Sequence, residues 1–317
     1  MPNYQVLITD YAWPDLDIER GILAKIGAEV ILPPDTTAAT LARVAAPVDA
    51  IMTNWAKVPA EVIAAATNCK IVARLGIGLD NIDVAACTAR KIPVTNVPDY
   101  CLIEVAEHTL ALLFGLARKI GWYHQATQSG TYQLQSGPKM FRMQGQTLGL
   151  IGYGNIAQLV AEKALALGLK VLVFNRSVKP APAGVSFVSF DELLAQSDYI
   201  SLHVPMAPET KHMMNAAAFA KLKPTAYVIN TSRGGLIDHA ALAAALDKGQ
   251  LAGAGLDVQD PEPPNLAQEP YNDPRVIVTP HAAFVSQESL ENLRRRTAQQ
   301  VADQLTGKKP ENVRNGM

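Results

Sequence analysis

Neither sign of charge is in excess in this chain of 317 residues: 28 lysines and arginines stand against 29 aspartates and glutamates, a formal net charge of −1. A polyanion therefore finds no electrostatic footprint here, which argues against nucleic acid as a partner. Cysteine is scarce, and Cys69, Cys87 and Cys101 form an odd set without CxxC spacing. That rules against a disulfide framework and a zinc or other metal site, and it fits reduced thiols in a cytoplasmic protein. Long hydrophobic runs are missing too, since the longest, Leu110 to Ala117, falls far short of the ~20 residues of a bilayer span. Residues 1–10 lack a basic segment followed by an apolar stretch, so neither a membrane association nor a secretory leader is expected.

What the chain has in quantity is apolar sequence with a rhythm. Short aliphatic runs at 5–8, 29–32, 50–53, 70–74 and 93–96 alternate with Ala-rich stretches of helical period at 16–26, 38–45, 59–66 and 82–89. This is the pattern of βα units feeding a parallel sheet. Pro98 interrupts it, and one long apolar helix is expected over 102–120. A second series of six strands follows at 147–151, 170–174, 199–204, 226–230, 253–258 and 276–278, the count of a doubly wound dinucleotide-binding sheet. A polar-amphipathic helix over 288–305 is expected to return to the first block, with Arg294, Arg295 and Arg296 on a solvated face. The expected fold class is therefore α/β with two Rossmann-like domains. A doubly wound parallel sheet over 100–283 takes the cofactor, and a smaller, flavodoxin-like, discontinuous domain of 1–99 plus 284–317 takes the substrate.

Gly152-Tyr153-Gly154-Asn155-Ile156-Ala157 matches GxGxxA directly after one strand and at the start of a helix. There the first glycine makes the tight turn, the second lets the backbone approach a pyrophosphate, and the helix N-terminus faces the anion. The following strand ends in Asn175-Arg176-Ser177. An NAD site would place a carboxylate near Asn175 to bind the ribose hydroxyls and repel a 2′-phosphate. A neutral Asn175 beside Arg176 and Ser177 offers donors and a cation instead, which favours NADP(H) over NAD(H). Val204 and Pro205, and Thr231 and Ser232, follow later strands of the same sheet and join the candidate cofactor-binding set.

Arg233, Glu262 and His281 each follow a different strand of this sheet, on the edge where open α/β sheets bind ligands. A guanidinium can hold a carboxylate bidentately, and a carboxylate beside an imidazole favours imidazolium, a proton donor for a carbonyl oxygen. The other histidines, His108, His124, His203, His212 and His239, lie in or beside helices and strands and are read as structural.

Taken together the chain resembles the D-isomer-specific 2-hydroxyacid dehydrogenase family. The resemblance rests on Leu75-Gly76-Ile77-Gly78-Leu79-Asp80-Asn81-Ile82-Asp83, Glu104 to His108, the Gly152 fingerprint, Thr231 to Gly235, Gly255 to Val258 with Glu262, and Thr279 to Ala283. Within the family it looks closest to C-terminal-binding-protein-like members and, at Asn175, to glyoxylate and hydroxypyruvate reductases. The resemblance implies a catalytic set of Arg233, Glu262 and His281 and a substrate carboxylate bound at Gly76, Ile77 and Gly78. It also implies that Asp257 and His281 lie at the nicotinamide and that a homodimer forms through the cofactor domains. Phe284 stands where the C-terminal-binding-protein branch carries Trp, and with Trp55, Leu75 and Tyr100 it is a candidate wall of the substrate pocket.

The expected function is an NAD(P)H-dependent 2-oxoacid reductase, a D-2-hydroxyacid dehydrogenase acting on a small glyoxylate- or hydroxypyruvate-like carboxylate. The alternative is a nucleotide-sensing, corepressor-like interaction protein with vestigial catalysis, against which the intact acid–base set speaks.

Overall fold

A computed structural model describes residues 3–317. By internal contacts the chain divides into two compact units, Met1–Tyr100 with Ser286–Met317, and Cys101–Val285.

In the first unit β1 (Tyr4–Ile8), β2 (Ala28–Ile31), β3 (Ala50–Thr53), β4 (Val72–Arg74) and β5 (Val94–Thr95) form a parallel sheet in the order β2-β1-β3-β4-β5. That is the flavodoxin order. Helices α1 (Asp17–Leu23), α2 (Ala38–Ala45), α3 (Ala60–Ala65) and α4 (Val84–Ala89) make the crossovers. Because both faces are covered, the central strands read as continuous apolar runs. Val6, Ile8, Ala50 and Met52 pack to one side, while Leu7, Ile51 and Val72 meet α2 and α3 on the other. Leu75 is buried in this core and continues the buried run of β4.

The second unit begins with α5 (Leu102–Ala117) and α6 (Ile120–Gln128). A single helix over 102–120 is expected from periodicity, but Lys119 takes a left-handed backbone (φ 57°) that no α-helix continues through. Its buried ammonium lies 4.5 Å over the Tyr227 ring. The strands are β6 (Thr147–Ile151), β7 (Lys170–Phe174), β8 (Val185–Phe187), β9 (Tyr199–Leu202), β10 (Tyr227–Asn230), β11 (Gly253–Leu256) and β12 (Val276–Val278), all parallel in the order β12-β11-β10-β9-β6-β7-β8. The sheet thus has seven strands where sequence predicts six. The missed β8 is three residues long, pairs only with β7 and is too short to show a period. With α7 (Asn155–Ala166), α8 (Phe190–Gln196), α9 (Ala216–Phe219) and α10 (His239–Asp247) on its faces, this is the Rossmann arrangement, and its strand order reverses between β6 and β9.

The last helix, α11 (Gln287–Leu305), belongs to the first unit and covers its sheet with Leu293, Ala298, Val301 and Leu305. Its arginines correct the expectation of a solvated face. Arg294 is buried, its guanidinium bonded to the buried Glu19 at 2.9 and 2.8 Å and to Asp15 at 2.8 Å. Arg296 bridges Asp99 and Glu311, and Arg295 alone sits on an exposed i,i+4 pair, with Glu291. The helix amphipathicity marks a charged stripe, but only packing against α1 decides which of its cations is taken inside. No helix among the described residues is long and apolar enough to cross a membrane.

Candidate active site

The strand reversal opens a crevice at the C-terminal ends of β6 and β9, where the glycine fingerprint sits. Gly152 turns with φ 98°, and a Cβ there would lie 2.4 Å from the His203 carbonyl oxygen, so only glycine fits between the two strand ends. Gly154 differs: its backbone is extended, and a Cβ would meet no protein atom within 4 Å. Nothing in the chain itself demands glycine at that position. The open space, at a helix whose N-terminus no side chain caps, fits a dinucleotide pyrophosphate.

Tyr153 points away from this space, its buried ring packed edge-on to Phe187 at 5.4 Å. Its N–H donates to Asn175 Oδ1 (3.3 Å), and its carbonyl accepts from Gln158 (3.3 Å) and from Lys179 Nζ (3.2 Å). Asn175 also donates to Ser177 O at 2.7 Å, so its amide braces the loop. Ile156 packs into the core behind the loop, and Arg176 and Ser177 are exposed. Lys179 is a cation that sequence reasoning passed over. Four residues beyond Asn175, in a loop with two prolines, it had no periodicity to mark it.

Further along the sheet edge, Val204 packs on the core and Pro205 is exposed after β9. Thr231 Oγ1 pairs with Thr109 Oγ1 at 2.9 Å, and Ser232 Oγ donates to Leu202 O at 2.7 Å. His203 is bonded to Ser201 Oγ at 2.9 Å, and burial pushes its imidazole down to about 4, so it stays neutral and is no acid at neutral pH.

The three residues singled out for chemistry converge within this unit. His281 Nδ1 lies 3.0 Å from Glu262 Oε2, and Glu262 Oε1 accepts the Gln259 N–H at 2.9 Å. Burial works against the Glu262 carboxylate. The hydrogen bond and charge of His281, the Gln259 N–H and the charge of Arg233 outweigh it and hold the carboxyl below its ordinary value. The carboxylate's contribution is therefore fully present above the ordinary carboxyl range and is lost as pH falls through the lowered value. Arg233 follows β10 in extended conformation, and its Nη1 donates to Ser232 O at 2.7 Å.

His281 itself has a left-handed backbone (φ 52°), a conformation that costs free energy and persists where the surroundings enforce it. Asp257, fully buried at the end of β11, does the enforcing. Its Oδ1 accepts from Thr279 Oγ1 (2.6 Å) and Ala282 N–H (2.8 Å), and its Oδ2 from Ala283 N–H (2.9 Å). The Asp257 carbonyl takes the His281 N–H at 2.7 Å. His108, read as structural, reaches the same place from α5, its Nε2 3.0 Å from Thr279 Oγ1 and 3.4 Å from Asp257 Oδ1. A histidine in the middle of a helix carries no signal of such a contact. Phe284 packs edge-on to the His281 ring at 6.1 Å.

Gly76, Ile77 and Gly78 lie in the first unit, just beyond β4. The Gly76 carbonyl accepts the Val97 N–H at 3.1 Å, and the Ile77 carbonyl accepts Asn96 Nδ2 at 2.7 Å. Both carbonyls are therefore turned onto β5 and its following loop. Trp55 is largely exposed in the same unit.

Residues 110–283, which hold the fingerprint and all three converging residues, match the family model described as D-isomer specific 2-hydroxyacid dehydrogenase, NAD binding domain. The chain is 40% identical over 271 residues to a D-3-phosphoglycerate dehydrogenase of Mycobacterium tuberculosis, covering 82% of this chain and 49% of the relative. It thus spans about half the length of the curated phosphoglycerate dehydrogenases it matches. A glyoxylate reductase of Thermococcus litoralis is 37% identical over 278 residues, 84% of each chain. Among solved structures, the TT0316 protein from Thermus thermophilus superposes with a TM-score of 0.90 at 33% identity, covering 98% of this chain and 99% of its own. Motif order, the two parallel sheets and near-full-length similarity agree, and the chain belongs to the D-isomer-specific 2-hydroxyacid dehydrogenase family.

Proposed function

We propose that this chain is an NADPH-preferring 2-oxoacid reductase, reducing a small glyoxylate- or hydroxypyruvate-like carboxylate to its D-2-hydroxyacid. The observation that carries the reading is the 3.0 Å Glu262–His281 pair within reach of the Arg233 charge. When bound, a reduced nicotinamide supplies hydride to the carbonyl carbon. Gly152 to Ile156, Asn175, Arg176, Ser177, Val204, Pro205, Thr231, Ser232 and Asp257 are the residues to hold that cofactor. With Nδ1 engaged by Glu262, His281 carries the transferable proton on Nε2 and gives it to the substrate oxygen. Glu262 stabilises the imidazolium before transfer. Arg233 binds the substrate carboxylate and polarises the carbonyl, and main-chain N–H groups of Ile77 and Gly78 are carboxylate donors in their own unit. Phe284 is an apolar wall of the substrate site. The domain roles follow: 100–283 for cofactor, and 1–99 with 284–317 for substrate.

Steady-state oxidation of NADPH and NADH against a panel of 2-oxoacids tests this reading. NADPH is expected to be preferred, because Asn175 is spent on the loop and presents no carboxylate, while Arg176 and Lys179 supply exposed cations beside it. Each charge-assisted bond to a 2′-phosphate is worth roughly 1.5–3 kcal/mol, so Arg176→Ala and Lys179→Ala should each raise the NADPH KM by about 10-fold or more and leave that for NADH unchanged. Absence of turnover across the panel would refute the reductase, and an NADH preference in wild type would refute the cofactor assignment.

The same reading makes the protein a homodimer joined through its cofactor domains. Tyr132, Leu134 and Phe141, beyond α6, are 91, 76 and 49% exposed, and apolar side chains left this open call for cover. Light scattering should give twice the 34.0 kDa chain mass, and a monomer at micromolar concentration would remove this part. Three buried cysteines with free thiols fit a reducing, cytoplasmic compartment.

A further inference from the structure

His239, set aside on sequence as structural, is the first residue of α10, a helix fixed by its Asp238 cap. Its ring touches two things. Nδ1 lies 2.9 Å from the Tyr271 hydroxyl, and Nε2 lies 3.2 Å from the carbonyl oxygen of Gly234, the residue after Arg233. The rings are tilted at 41° with centroids 5.5 Å apart. Tyr271 stands on the segment between Glu262 and β12.

Donor and acceptor roles then follow in one direction. The Gly234 carbonyl can only accept, so His239 Nε2–H donates to it, and the Tyr271 hydroxyl donates to the remaining ring nitrogen, His239 Nδ1. The chain of bonds runs from the turn of Arg233 to the segment that follows the Glu262 loop. It requires a neutral imidazole, and burial holds this one below the ordinary histidine range against the Gly234 carbonyl bond and the charges of Asp260 and Asp238, with His212 acting in the same direction as burial. The turn of Arg233 and the loop of Glu262 are already in contact. A Cβ on Gly234 would lie 2.0 Å from the Gln259 carbonyl and 2.7 Å from Asp260 N, and the Gly235 carbonyl is taken by the His212 N–H at 2.8 Å. No side chain fits between the turns, so their spacing depends on what holds them from outside.

We propose that His239 and Tyr271 are a positioning pair that sets the Arg233 turn against the Glu262 loop and so fixes the geometry in which the oxoacid is held. The role of Arg233 and Glu262 in it rests on the function proposed above; the mechanical link does not. Neither residue touches the reacting atoms, and the loss of either should displace the guanidinium and not the glycine fingerprint.

The test uses the full chain with His239→Ala, Tyr271→Phe and His239→Gln. His239→Ala should raise the oxoacid KM about 10-fold, as expected for a lost hydrogen bond that misplaces a charge, while the Kd for NADPH stays within about twofold. Tyr271→Phe should give a smaller rise in the same direction. His239→Gln should recover most of the loss, since its amide N–H can again reach Gly234 O. Hydrogen–deuterium exchange is read on the same proteins, and residues 232–237 and 259–263 should both exchange faster in His239→Ala while 147–160 do not change. Unchanged exchange in those two segments, or equal weakening of NADPH and oxoacid, overturns the proposal. Faster exchange in both segments, with no oxoacid turnover by wild type, would overturn the proposed function and leave the positioning link standing.

Discussion

His281→Asn is expected to lower kcat for oxoacid reduction by about 10³-fold, within the range that a positioned general acid contributes. Asn is the informative substitution because the position has φ 52°, and Asn is one of the few residues that enter the left-handed region at small cost. The turn held by Asp257 through Thr279, Ala282 and Ala283 should therefore survive, whereas an alanine would add backbone strain to the loss of the imidazole. With the turn intact, NADPH Kd by fluorescence and Tm should remain close to wild type, so that the deficit is in proton delivery. Retention of more than a tenth of wild-type kcat would remove His281 as the donor. Glu262→Gln separates the two roles in the pair. Its amide still reaches Nδ1 but carries no charge, so the acid limb belonging to the lowered carboxyl disappears while the turn is kept.

The second large effect is at Arg233. Arg233→Lys keeps the charge but loses one of the fork's two charge-assisted bonds to a carboxylate, at roughly 1.5–3 kcal/mol a loss in kcat/KM of about 10- to 100-fold. The loss should fall on both the oxoacid KM and kcat, because in the proposed function the same guanidinium holds the carboxylate and polarises the carbonyl. Binding of NADPH should change little. An Arg233→Lys enzyme with oxoacid KM and kcat within about threefold of wild type would place the substrate carboxylate elsewhere.

Much of this site is legible before folding is considered. The GxGxxA run declares itself because glycine at Gly152 is a backbone requirement, and Arg233, Glu262 and His281 each follow an aliphatic run that reads as a strand. Sequence is weaker where a role depends on what a residue meets. Lys179 and Arg176 lie on the same loop, yet only the fold turns the lysine onto the Tyr153 carbonyl. His108, His203 and His239 look alike in sequence. In the folded chain one leans on the Asp257 cluster, one is held neutral by burial beneath the glycine turn, and one bonds both the Gly234 carbonyl and the Tyr271 hydroxyl.

The arginine run on α11 makes the same point for stability. Three neighbouring cations point three ways around a helix, and only contact with Glu19 on α1 makes Arg294 a buried partner. A buried charge of this kind costs several kcal/mol to leave unpaired, so its environment, not its identity, sets its worth.

By itself, then, the sequence determined the alternation of strands and helices, the fingerprint and the strand ends that carry the reacting groups, because these follow from local period and backbone geometry. Only the tertiary structure decided strand order, the seventh strand, the break at Lys119 and the hydrogen bonds of Asp257, His239 and Tyr271. Those depend on contacts between residues far apart in the chain, and local periodicity carries no information about which distant surfaces will meet.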